Sequence, residues 1–163
     1  MLQRIQTLFL LLALLTSAVI FFLPLAHFSV VGFSFDLYIS GVRNLKADAP
    51  LDFEVNMILH ITVLIALIVL SGLTIFLYKN RPLQMKLCRF GMMLNIVFIV
   101  LIFMFSDTVK KGFLSTLSLY DGDVAVQFGP GSIMPLIALI FLFLANKFIK
   151  KDEMLVRAAD RLR

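Results

Sequence analysis

The residues able to do chemistry are few and scattered. Histidine occurs at His27 and His60 only, and cysteine at Cys88 only. A metal at His60 would need partners. His27 is the one other imidazole, and Asp36, Asp52 and Glu54 are the carboxylates able to approach it. His60 falls in an uncharged apolar run, so a proton relay there lacks a second titratable group. Its expected state is a neutral ring hydrogen-bonded to another helix or to an overlying loop. Cys88 has no partner for a disulfide within the chain, which excludes an enzyme that cycles its own cysteine pair. Flanked by Lys86 and Arg89, it reads as a buried or interfacial small residue, with palmitoylation or thiol chemistry the alternatives. No nucleophile constellation, glycine-rich phosphate loop or metal-spaced cluster occurs. Neither enzymatic activity nor a cofactor is expected.

The other polar residues inside apolar runs are Ser71, Thr74 and Asn95. Polar side chains within a membrane are the default place to seek function. Residues 55–78 and 87–105 are joined by a short loop, which makes them antiparallel neighbours. Asn95 is then expected at the depth of Ser71 and Thr74, forming interhelical hydrogen bonds of about 0.6 kcal/mol each. Ala13, Ser17, Ser71 and Gly72 supply small surfaces for close helix approach.

These residues must be positioned by membrane helices. The chain is 61% hydrophobic and 15% charged, whereas soluble domains are about 45–50% apolar. The excess lies in four blocks, at about residues 5–25, 55–78, 87–105 and 133–149. Each approaches the roughly 17–25 residues that cross a bilayer as helix. The expected fold is an all-α membrane protein, a bundle of four transmembrane helices forming one integral membrane domain.

Orientation follows from the basic residues. Residues 78–89 hold Lys79, Arg81, Lys86 and Arg89 and no acid, between two apolar runs. Short cytoplasmic loops carry such an excess of Lys and Arg. With Arg4 and the six basic residues from Lys147 onward, eleven of the fifteen fall at one end. Both termini are therefore expected to be cytoplasmic. The net charge of +5 is read as topology signal and contact with anionic head groups. Nucleic-acid binding is not expected, because no basic face is interleaved with aromatics. Residues 5–25 exceed the 7–15 of a signal core, and no clean cleavage site follows. They are expected to remain as the first helix, stopping near Pro24.

The outer loops, 26–54 and 106–132, are expected to form a small antiparallel β cap. Phe33, Phe35, Leu37 and Ile39 alternate with Ser34, Asp36, Tyr38 and Ser40, the period of a half-buried strand. Gly32 suits a turn, and residues 41–52 look irregular. Residues 115–120 and 123–128 flank Asp121-Gly122, a hairpin signal. Ser132 is placed to cap the fourth helix. The tail, residues 150–163, lacks Gly and Pro and has high helix propensity. Its narrow stripe of Leu155, Ala159 and Leu162, with Arg157 and Arg161 as a basic edge, is expected to dock on residues 80–88 or on a cytoplasmic partner.

Three segments together carry a family resemblance. They are Met1-Leu2-Gln3-Arg4-Ile5-Gln6-Thr7, the loop Lys79-Asn80-Arg81-Pro82-Leu83-Gln84-Met85-Lys86-Leu87-Cys88-Arg89, and a closing pattern made of Phe128-Gly129-Pro130-Gly131 and of Leu144-Ala145-Asn146-Lys147 through Asp160-Arg161-Leu162-Arg163. The whole chain resembles a family of small four-span membrane proteins of unknown function found in Bacteroidota. The resemblance implies a bacterial inner membrane and supplies no site residues. The expected function is a non-catalytic accessory or scaffold protein that contacts the lipid bilayer and binds another membrane or envelope protein. The alternative is a small transporter or lipid-binding protein opening around His60 or Asn95.

Overall fold

The computed structural model describes residues 2–30, 33–44, 56–78, 80–116 and 124–161. They form helices α1 (Leu2–Val19), α2 (Ile58–Phe76), α3 (Arg81–Thr116) and α4 (Pro130–Arg161). The strands are β1 (Ala26–Val30), β2 (Phe33–Tyr38), β3 (Gly41–Asn44) and β4 (Ala125–Phe128). α1 packs on α2 and α4, and α3 packs on the same two. Three helices, Ile58–Phe76, Arg81–Gly112 and Pro130–Val156, are long and apolar enough to cross a membrane. The described apolar part of α1, Ile5–Val19, is shorter.

The helices are patterned inside out. On α2 the exposed positions include Leu59, Ile65, Val69, Leu73 and Phe76, while the buried stripe carries His60, Ser71 and Thr74 among its leucines. On α3, Met93, Ile96, Val97, Val100 and Met104 face out and Asn95 faces in. Water selects the opposite arrangement, polar outside and apolar inside.

All four strands form one antiparallel sheet, in the order β3-β2-β1-β4. It closes the end of the helices where α1 and α3 finish and α2 and α4 begin. Phe28, Phe35, Leu37 and Ile39 are buried in one cluster with Ile20, Leu64, Phe98 and Ile102, so the alternation in β2 does select the inward face. The turn from β2 to β3 passes through Gly41, whose φ of +129° suits glycine. A second cluster, Leu10, Ala13, Cys88, Leu142, Ala145 and Ile149, holds the far end. Gly72 on α2 lets Leu14 of α1 approach to 3.7 Å of where a Cβ would sit.

Several expectations change. The first helix stops at Val19, five residues before Pro24. There the chain tightens into three-residue turns, the Phe21 N–H reaching Ala18 O at 3.2 Å and the Phe22 N–H reaching Val19 O at 3.0 Å, as helix ends commonly do. The residue after Pro24, Leu25, already bonds as strand, its N–H reaching Leu37 O at 2.7 Å. Gly41–Asn44 is a strand where an irregular segment was expected, because its register with β2 satisfies its backbone. α3 continues to Thr116, so residues 106–116 are helix, and Ser115 and Thr116 are not in a strand. No proline interrupts this stretch. Its hydroxyls bond back to their own helix, Ser106 to Ile102 O at 2.9 Å and Thr108 to Met104 O at 3.0 Å. β4 pairs with β1. Gly32, residues 45–52 and the Asp121-Gly122 turn lie outside the described residues. Ser132 does not cap α4. The helix starts at Pro130, a favoured first position for proline, and Ser132 donates its hydroxyl to Gly129 O at 2.8 Å.

Candidate functional site

Three places gather polar side chains. The first is the helix interior. His60 is 3% exposed. Its Nε2–H points at Leu101 O across 3.4 Å, its ring lies 4.4 Å from that of Phe105, and its Nδ1 has no partner. Asn95 is 1% exposed, and its Oδ1 also has no partner. Thr74 bonds within its own helix, Oγ1 donating to Leu70 O at 2.6 Å. Ser71 is buried.

Asn95 does not sit level with Ser71 and Thr74. Gln84 of α3 faces Thr74, Gly91 faces Leu70, and Leu101 faces His60. This antiparallel register places Asn95 more than a turn nearer the sheet than Ser71. The link between α2 and α3 instead comes from Gln84, which sequence reading left in the loop. Its Nε2 donates to Thr74 O at 3.1 Å. That carbonyl lies in the last turn of α2, where helix carbonyls have no intrahelical donor. Gln84 is placed by the start of α3, where Asn80 Oδ1 accepts the Leu83 N–H at 3.3 Å as an N-cap. Asn80 before an apolar helical run was a legible signal for the cap, while the Gln84 contact with another helix had no local signal.

The second place is the sheet face turned away from the helices. The register puts Gln127, His27, Asp36 and Arg43 directly opposite one another on four adjacent strands. His27 Nδ1 is hydrogen-bonded to Asp36 Oδ1. A carboxylate only accepts, so the proton sits on Nδ1 and Nε2 remains for another group. The Arg43 guanidinium lies 4.8 Å above the Tyr38 ring, a cation–π contact. The side chain of His27 is 43% exposed and that of Asp36 10%. His27 and His60 fall in different clusters, and no group of three metal-ligating side chains assembles among the described residues.

The third place is the far end. Arg81 Nη2 and Asp152 Oδ2 form an ion pair at 3.2 Å. Gln6 Nε2 donates to Phe148 O at 3.2 Å, and the Phe9 and Phe148 rings stack with centroids 5.4 Å apart. The start of the tail thus does meet the start of α3. Leu155 itself is 52% exposed. Arg157, Ala159 and Arg161 continue the α4 helix, and Leu162 lies outside the described residues.

The described residues therefore define a class: four helices, three of membrane-crossing length and apolarity, closed at one end by an antiparallel sheet. Over residues 2–162 the chain matches the family model described as Domain of unknown function (DUF4293), and it belongs to that family. A comparison with curated proteins returns no match.

Proposed function

We propose that this is an integral protein of a bacterial inner membrane, of the type found in Bacteroidota, with four spans and both termini cytoplasmic. It acts as a non-catalytic accessory or scaffold that presents the polar sheet face to another envelope protein. The observation that carries the membrane reading is the inside-out patterning of α2 and α3: apolar residues exposed, His60, Ser71, Thr74 and Asn95 buried. α1 is read as the fourth span, its described apolar part, Ile5–Val19, being shorter than the other three. The partner reading is supported by the row Gln127–His27–Asp36–Arg43. Exposed Arg43 and Gln127 and the free Nε2 of His27 give a protein partner charged and hydrogen-bonding anchors without a nucleophile.

A photo-crosslinking amino acid at Arg43 or Gln127 in native membranes tests this. The expected result is a discrete protein adduct from both sheet positions and only lipid adducts from Val69. Equal adducts from Val69, or none from the sheet, would contradict it. The alternative of a small transporter or lipid-binding protein is favoured by the unpartnered His60 Nδ1 and Asn95 Oδ1. Against it stands an interior filled by Leu64, Leu67, Phe98 and Ile102.

A further inference from the structure

The far end holds a groove that the scaffold reading does not use. It is a cavity of about 230 Å3, lined by Met85 and Arg89 of α3 and by Lys150, Glu153 and Met154 of α4. Its depth is set by sequence. Arg89 is the last charge on α3 before residues 90–106, which carry none. Lys150 lies one turn beyond Lys147, the first charge after the uncharged residues 130–146 of α4. Both cations therefore sit where a helix leaves hydrocarbon for head groups, the level at which Lys and Arg snorkel.

The composition of the walls is selective. Arg81, the next cation outward on α3, is held by Asp152 and does not line the groove. Arg89 and Lys150 against Glu153 leave the groove with one net positive charge. That balances the single negative charge of a phosphodiester. A guanidinium matches two phosphate oxygens in a fork, and an ammonium adds a point charge. Met85 and Met154 supply flexible apolar walls.

We propose that this groove binds a phosphate group, presented as the phosphodiester of a glycerophospholipid. Arg89 and Lys150 contact the phosphate oxygens, and Met85 and Met154 pack on the glycerol and first acyl carbons. Glu153 adds a negative charge to the same groove. It disfavours an anionic substituent and tolerates a hydroxyl or an ammonium. The inference rests on the membrane reading above.

The test uses the full chain in nanodiscs of stated composition, released for native mass spectrometry. Wild type is expected to retain one phosphatidylglycerol or phosphatidylethanolamine and no diacylglycerol, which lacks the phosphate. R89Q/K150Q should retain about tenfold less phospholipid, and R89K/K150R most of the wild-type amount. K111Q, near the sheet end of α3, should match wild type. Displacement of the lipid by inorganic phosphate would identify free phosphate as an equal occupant of the same site. Undiminished retention in a folded R89Q/K150Q protein, or equal retention of diacylglycerol, overturns the proposal. Alkaline carbonate extraction separates the two readings. A protein released from membranes refutes the membrane reading, and one that stays embedded without phospholipid selectivity refutes only this site.

Discussion

Gly129 lies against the backbone of Pro24, so close that a Cβ on Gly129 would fall 2.5 Å from the Pro24 carbonyl oxygen. The Gly129 N–H donates to Leu25 O at 2.9 Å, and the Gly131 N–H donates to Pro24 O at 2.9 Å. The Gly-Pro-Gly segment is thus the seam where the end of α1, the sheet and the start of α4 meet. Backbone donors close it, and nothing larger than hydrogen fits.

Substituting either glycine should open that seam. A Cβ at Gly131 would lie 2.7 Å from the same oxygen, and that carbonyl is held by the Gly131 N–H in a backbone seam that cannot easily move aside. Gly129→Ala and Gly131→Ala should each cost about 2 kcal/mol or more. The readout is the melting temperature in mild detergent, with Gly72→Ala, where only Leu14 Cδ1 at 3.7 Å is met, as the tolerated control.

Gln84→Ala should destabilise by about 1–2 kcal/mol, because it strips the donor from a buried carbonyl at the end of α2. Thr74→Val should cost less, since its hydroxyl bonds only within its own helix while its carbonyl survives the change. Equal losses would mean that the Gln84 contact does not join α2 to α3.

Asn95→Leu should be neutral or stabilising by up to about 1 kcal/mol, because a buried oxygen without a partner costs more than an apolar group of similar size. A clear loss in melting temperature would show that Oδ1 holds a bound group, which would favour the transporter reading.

The tail prediction moves upstream from where sequence reading placed it. Among the described residues the tail meets α3 through the Arg81–Asp152 ion pair, and Glu153 and Met154 share a groove with Met85 and Arg89. Truncation after residue 154 should leave stability nearly unchanged, whereas truncation after residue 149 should lower it. Asp152→Asn alone should cost no more than about 1 kcal/mol, as expected of a partly exposed ion pair.

The apolar blocks and the strand alternation at Phe35, Leu37 and Ile39 were legible, because both are local periodicities. The β4–β1 pairing was not. The Asp121-Gly122 signal reports only on neighbouring strands, while Phe128 finds Ala26 across most of the chain. The length of α3 was hidden for a different reason. Hydropathy marks where the apolar run ends, at residue 105, but a helix ends only where its backbone bonds are broken, and residues 106–116 keep theirs. His60 and Asn95 were identified as buried polar positions. Their partners were not legible, because a one-turn error in α2–α3 register changes every cross-helix neighbour. The far-end groove was missed because its lining is split between helices more than sixty residues apart.

Topology is the central claim, and thiol labelling tests it most directly. Cys88 is 1% exposed, so the native thiol gives little background. Ser40, between β2 and β3, and Lys151, on α4, are both exposed. In intact cells permeable only at the outer membrane, Ser40→Cys should react with an impermeant maleimide. Lys151→Cys should react only after the inner membrane is opened. Labelling of both from the same side, or of Lys151→Cys alone in intact cells, would contradict the account.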